Sequence, residues 1–193
     1  MKEQNVLQGV ENRAQFRAWL EEHGANEAEC WVKVRKGRPR GEEETLWYLD
    51  AVEEALCFGW IDSTNRVIDG VRMQRFTPRK KNSPWTELNK ARVRRLEALG
   101  KMTEAGRAVL PDRNRENFRF DAELVQEMKS AGAWETFCSF PPLYQRVKAY
   151  NTAFYKKRDP ETYRKMLDRL LAQTLQGKMY GEWDDYGRLK EEK

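Results

Sequence analysis

The chain has 193 residues, with 36 Lys+Arg against 31 Asp+Glu, a single His and a formal charge of +5. Charged residues make up 35% and mean hydropathy is −0.93, but seven Trp, seven Tyr and eight Phe exclude a disordered chain, because disordered chains lack the aromatic surface that offsets chain entropy. No apolar run approaches the ~18 residues of a membrane span, and the start MKEQNVLQGVENRAQF carries no signal-peptide stretch, so no transmembrane segment and a cytoplasmic location are expected.

In chain order, residues 11–23 place Phe16, Trp19 and Leu20 at i, i+3 and i+4, an amphipathic helix stopped by Gly24. Residues 30–35 alternate and predict a half-buried strand. Gly37, Pro39 and Gly41 mark a loop, and residues 48–58 predict a helix with Tyr48, Ala51, Val52, Ala55 and Leu56 on one face. Two β-rich runs over 60–77 flank Asp69-Gly70, the strongest short hairpin signal, because both turn positions need φ > 0; Ile68 then faces Val71. On the second run Val71, Met73, Arg75 and Thr77 share one face, and Arg72, Gln74 and Phe76 the other.

Ser83-Pro84 reads as a helix start, with Ser83 as N-cap and proline at the first helical position. That helix carries Trp85, Leu88, Val93, Leu96 and Leu99 and ends at Gly100. Thr103 caps a short helix ending near Pro111, Asp121 caps another to Ser130, Pro141-Pro142 opens a third, and Asp159-Pro160 starts a helix to Gln176. The charged tail from Gly177 holds three aromatics and docks in part. The expected class is α+β, a small antiparallel sheet of about three strands within a mainly helical chain. Two parts are expected, an α+β core over 1–110 and a helical part over 111–193, packed as one unit.

Cys30, Cys57 and Cys138 form neither a disulfide framework nor a zinc spacing, and one histidine cannot supply a His-rich metal site. His23 reads as a helix C-terminal residue and Cys57 as a buried small hydrophobe. Glu42-Glu43-Glu44, Glu53-Glu54 and Asp184-Asp185 are adjacent rather than converging and read as solvated faces. With no GxGxxG, P-loop, HExxH or GxSxG, no reaction is assigned and no cofactor is expected.

Charge is uneven. Residues 1–61 hold 8 basic and 12 acidic side chains, residues 62–101 hold 11 and 4, and residues 102–193 hold 17 and 15, so the segments carry −4, +7 and +2. The middle segment points to an anionic partner or to ion pairs with the acidic N-terminal part. Within it, Arg79, Lys80 and Lys81 sit ahead of the helix expected at Ser83, whose free N–H groups favour an anion. Trp60 and Trp85 offer stacking faces, and Asp62, Arg75, Asn89 and Lys90 complete a candidate pocket for a phosphate- or carboxylate-bearing ligand. An ordinary structural reading stands beside it, with Trp60 and Trp85 in the core, Ser83 only a cap, and Arg75 paired with Asp62. Nucleic-acid binding through 66–101 is a further reading, weakened because the cations at 90, 92, 94 and 95 spread over several helix faces.

The stretch AVEEALCFGWIDS over 51–63 resembles the signature of the YdeI/OmpD-associated (bacteriocin-protection, OmdA-like) family. Arg75-Phe76-Thr77-Pro78-Arg79-Lys80 followed by Ser83, Trp85, Asn89, Lys90 and Arg92 resembles that family's second block, and Met102-Thr103-Glu104-Ala105-Gly106 the MTxAG after it. The chain departs from the pattern at Trp47, where a Thr or Ser cap is usual, at Leu49-Asp50, at Thr86 and over 107–120. The resemblance implies a bacterial protein linked to bacteriocin or antimicrobial-peptide resistance, with a porin association in the family name alone and no established reaction. A porin partner sits badly with the missing signal peptide, and a basic segment repels a cationic peptide.

Overall fold

The computed structural model describes residues 5–41, 45–111 and 117–189. Among them it forms α1 (Arg13–His23), β1 (Cys30–Lys33), α2 (Tyr48–Cys57), β2 (Trp60–Ile68), β3 (Val71–Pro78), α3 (Glu87–Ala98), α4 (Glu104–Ala108), α5 (Ala122–Ser130), α6 (Trp134–Ser139), α7 (Pro142–Ala153) and α8 (Pro160–Leu175). The protein is α+β, with one open three-stranded antiparallel sheet. It divides into two compact units, the first Met1–Pro84 with Arg92–Pro111, the second Trp85–Ala91 with Asp112–Lys193.

In the first unit the sheet order is β1-β3-β2. Asp69 (φ 48°) and Gly70 (φ 77°) make the expected turn, and Ile68 pairs with Val71. Farther along, Asp62 pairs with Phe76 but Asn65 with Gln74, so β2 carries one extra residue there. The buried Gln74 carboxamide answers this bulge by donating to the carbonyls of Ser63 (3.3 Å) and Thr64 (3.1 Å). Helix α1 opens on a capping box, Asn12 accepting from Gln15 N–H while Gln15 accepts from Asn12 N–H. Its Phe16 meets Phe76 with ring centroids 5.3 Å apart, and Trp19 meets Trp60 edge-on at 5.8 Å. Phe16, Phe76 and Trp60, with Cys30, Val32, Ala51, Val52, Ala55 and Leu56, belong to the buried core, and half-buried Trp19 packs at its margin.

Helix α2 departs from the expected one-sided pattern: every residue from Leu49 to Cys57 is buried. Glu53 and Glu54 are therefore not a solvated face. Glu54 accepts from Arg13 (2.6 Å) and Arg17 (2.8 Å), Glu53 meets Arg13 (3.0 Å) and Arg95 (2.8 Å), and Asp50 meets Arg13 (3.0 Å). Burial disfavours charge on Arg13, but Glu54, Glu53 and Asp50 outweigh it and raise its pKa. Trp47 occupies the N-cap position without a side-chain capping bond, its indole donating instead to the Gly41 carbonyl at 3.2 Å. At the other end of α2, Thr103 caps α4 and its hydroxyl also donates to the Cys57 carbonyl (2.6 Å). A Cβ on Gly106 would lie 2.0 Å from that same oxygen, so only glycine permits this approach. The acidic run at 42–44 lies outside the described residues.

In the second unit α3 starts three residues later than expected. Thr86, not Ser83, is its cap: the Asn89 N–H donates to the Thr86 hydroxyl at 3.2 Å. The first turn holds buried Glu87, which pairs with Lys90 (2.8 Å) and Arg146 (3.6 Å). Asp121 caps α5 through the Glu123 and Leu124 N–H groups, and Asp159 caps α8. Helix α6, which sequence periodicity does not reveal, is six residues long and has no side-chain cap. The core gathers Leu124, Met128, Phe137, Tyr144, Leu167 and Leu170. Residues 178–189 form no helix or strand; Trp183 meets Tyr144 edge-on at 5.6 Å, and Asp185, read from sequence as solvated, is 2% exposed.

Candidate functional site

The C-terminal end of β3 runs directly into a tight turn. Its pairing with the chain ahead of β2 extends to Arg79, whose N–H donates to the Gly59 carbonyl at 2.9 Å. The chain then reverses: Ser83 N–H donates to the Lys80 carbonyl (3.1 Å), with Asn82 at φ 64°, a left-handed conformation that asparagine tolerates. The Arg79 side chain is buried and folds back over this turn, donating from Nη1 to the Ser83 hydroxyl (3.0 Å) and the Pro84 carbonyl (3.4 Å). That commitment is why Ser83 does not start the helix.

Alternation along β3 puts Arg75 and Thr77 on one face, next to this turn. Arg75 is held by Glu29, donating through Nε (2.7 Å) and Nη2 to the same carboxylate oxygen. Glu29 also accepts from the Trp31 indole (3.2 Å). The Arg75 bond holds the Glu29 carboxyl below the usual carboxylate range.

A cleft of about 620 Å³ opens over these groups. Three cations, Arg75, Arg79 and Lys80, line it with the hydroxyls of Thr77 and Ser83; the rest of the lining is Ala28, Ile61 and two prolines. Among the described residues no carboxylate lines it. Lys80 is exposed and has no carboxylate partner among the described residues. The arrangement supplies guanidinium, ammonium and hydroxyl donors on one concave surface, a donor set suited to phosphate or carboxylate oxygens. A helix N-terminus is not part of it, because α3 begins at Glu87 with its own anion.

The cleft thus brings together Arg75, Arg79, Lys80 and Ser83 of the expected residues. Trp60 does not line it. It is 1% exposed, edge-on to Trp19, and its indole N–H donates to the Gly24 carbonyl at 3.0 Å, so it has no free face for stacking. Asp62 accepts from the Tyr48 hydroxyl at 2.6 Å and pairs with no Arg75, which has taken Glu29 instead. Trp85, Asn89 and Lys90 belong to the second unit, where Trp85 and Asn89 are buried and Lys90 is paired with Glu87. Sequence reasoning missed Thr77 and Ile61 as lining residues; Thr77 was within reach, since it stands two residues from Arg75 on one strand face.

Cys57 and His23 do not line this cleft. Cys57 is buried, and burial pushes its thiol up to about 12. His23 ends α1 against Trp19, ring centroids 5.4 Å apart. Many cations of the basic segment are already engaged: Arg66 lies over the Trp31 ring (4.2 Å), Arg72 donates to Asn65 (3.0 Å), and Arg95 pairs with Glu53 (2.8 Å). Among the described residues no helix is long and apolar enough to cross a membrane. A family model described as a domain of unknown function (DUF8412) matches residues 8–109, a span that contains the whole cleft. No curated protein and no solved structure matches the chain.

Proposed function

The chain belongs to the DUF8412 family, whose description assigns no activity, and from its own residues we propose that it binds a small anionic ligand in the cleft at Arg75, Arg79, Lys80 and Ser83. One observation carries this reading: Lys80 and the buried Arg79, beside an Arg75 held by Glu29, share with two hydroxyls a cleft that no carboxylate of the described residues lines. The buried Arg79 guanidinium is fixed by the turn it closes and supplies planar donors without reorganisation, while Lys80 contributes a mobile point charge. A volume of about 620 Å³ is in the range of small-molecule sites. The ligand class is a phosphate- or carboxylate-bearing metabolite, a nucleotide included.

The engaged state of Arg66, Arg72 and Arg95 favours this local site over a polyanion track along 66–101. The likeness of residues 51–63 and 75–92 to the YdeI/OmpD-associated blocks supports the same placement, since Arg75, Arg79, Lys80 and Ser83 fall in the second block. On that likeness the role is one in bacteriocin or antimicrobial-peptide resistance, exercised from the cytoplasm through the ligand. The basic cleft itself would repel a cationic peptide.

The test is a thermal-shift and calorimetric titration with inorganic phosphate, pyrophosphate, citrate and adenosine monophosphate. At least one anion is expected to stabilise the protein, with an effect that weakens as salt rises. Lys80→Glu reverses a charge outside the core and should abolish that shift, whereas Lys165→Glu, at an exposed position of α8, should not. No shift with any of the four, or an equal shift in Lys80→Glu, refutes the reading.

A further inference from the structure

The second unit contains a different kind of cleft, of about 380 Å³, where the end of α7 meets the start of α8. Tyr150 and Asn151 come from the last turn of α7, and Phe154 and Tyr155 from the chain that leaves it. Thr162 and Met166 come from the first turns of α8, and Thr86 lies beside them. Each of these side chains is half-buried and so shows part of its surface to the cleft. None is charged, although charged residues are 35% of the chain.

The aromatic walls are fixed by their neighbours. Phe154 has Tyr150 at 6.1 Å and Tyr155 at 5.4 Å between ring centroids, the latter edge-on, and the Arg158 guanidinium lies 3.9 Å from its ring centre. The Thr162 hydroxyl is committed to Asp159 at 2.7 Å. The Asn151 carboxamide is different: it makes no hydrogen bond with any described residue. It therefore offers a donor and an acceptor side by side in the lining of this aromatic cleft. Small-molecule sites have this composition, mostly apolar walls with few polar groups that fix orientation.

We infer that this cleft binds a neutral planar heteroaromatic ring with a donor and an acceptor on one edge, an adenine-type base, stacked on the Tyr150–Phe154 wall and paired at its edge by Asn151. A carboxamide is the side chain that matches adenine's adjacent amino donor and ring-nitrogen acceptor with two bonds. Aromatic walls stack any base, so they supply affinity while Asn151 supplies the choice. This inference stands apart from the anion cleft, which is built in the first unit from other residues.

The experiment is an NMR titration of the full chain, isotopically labelled, with adenosine as the probe and the Asn151 side-chain amide as the reporter. Saturable shifts of that amide are expected. Asn151→Asp keeps the shape, removes the donor, and should weaken binding at least about tenfold; Phe154→Leu should weaken it about tenfold through lost stacking. Lys80→Glu should leave it unchanged, which separates this site from the anion cleft. An Asn151 amide that does not move up to roughly millimolar adenosine overturns the inference. So does Asn151→Asp binding as the wild type does, or phenol, which has the ring but not the paired edge, binding as tightly as adenosine.

Discussion

Arg13→Met tests what holds α2 in the first unit. In the native chain the buried carboxylates of Asp50, Glu53 and Glu54 face the guanidinium groups of Arg13, Arg17 and Arg95. Arg13, 8% exposed at its side chain, touches all three acids, whereas Arg17 reaches only Glu54 and Arg95 only Glu53. Methionine fills a similar volume, so little cavity forms and the loss is electrostatic. Asp50, at 0% exposure, would lose its Arg13 bond, and Glu53 and Glu54 would each lose one of their cations. Breaking a buried pair from one side costs about 3–5 kcal/mol, because the partner charge stays desolvated. For a chain of this length that corresponds to a fall of roughly 6–20 °C in Tm.

The assay is urea unfolding followed by tryptophan fluorescence and circular dichroism, with Arg164→Ala as the control. Arg164 pairs with Glu127 on an exposed surface, both partners more than a third exposed, and its loss should stay within about 1 kcal/mol. In an Arg13→Met background, Glu54→Gln should be less damaging than in the wild type, by roughly 0.5–3 kcal/mol of coupling, since it removes a charge that has lost one of its cations. An Arg13→Met loss no larger than the Arg164→Ala loss refutes the reasoning.

Gly106→Ala should destabilise the first unit by about 1–3 kcal/mol in the same urea assay, because its Cβ would stand 2.0 Å from the Cys57 carbonyl oxygen and α4 would have to move off α2. Asp121→Ala should cost about 0.5–2 kcal/mol, the range of a lost cap. Burial opposes the Asp121 charge, but the Leu124 N–H and Lys156 outweigh burial and lower its pKa, so its contribution is present above the unfolded value near ~3.9 and is lost as pH falls through the folded one; the deficit of the variant should shrink in that acid window. Burial, with the nearby Arg169 charge, lowers the Lys148 amine to about 8, so an NMR titration of its side chain should give a midpoint near there. The folded chain sheds that proton first, so stability should rise from about pH 8 towards the unfolded lysine value of ~10.4, and Lys148→Met should remove that rise.

What the sequence reveals here follows the range of each interaction. The hairpin was legible because Asp69 and Gly70 impose positive φ by themselves, whatever surrounds them. Asp121 and Asp159 were legible as caps because a cap bonds its own first turn. The Glu53-Glu54 pair misled because its cations, Arg13, Arg17 and Arg95, stand 37 to 42 residues away in sequence, and a local pattern shows the charges without their partners. Ser83 misled for a related reason: two cap-competent residues lie three positions apart, and the Arg79 side chain decides between them by taking the Ser83 hydroxyl. The cations of the candidate cleft are legible from their clustering at 75–81. The removal of Trp60 and Asp62 from it required knowing that one is packed on Trp19 and the other bonded to Tyr48.

A three-stranded open sheet exposes two outer edges, each a row of backbone groups on which another chain can template a fourth strand. This protein blunts both by different means. Alongside β1, residues 5–7 lie down as a short parallel partner, Asn5 accepting from Trp31 N–H (2.8 Å) and Leu7 donating to the Trp31 carbonyl (2.9 Å). Along β2 the extra residue at Ser63–Thr64 breaks the regular spacing, and Gln74 reaches from the neighbouring strand to occupy the carbonyls there. Deleting one residue of that bulge would straighten β2 while keeping the Asp62–Phe76 and Asn65–Gln74 pairs, turning a protected border into a continuous seam for edge-to-edge aggregation.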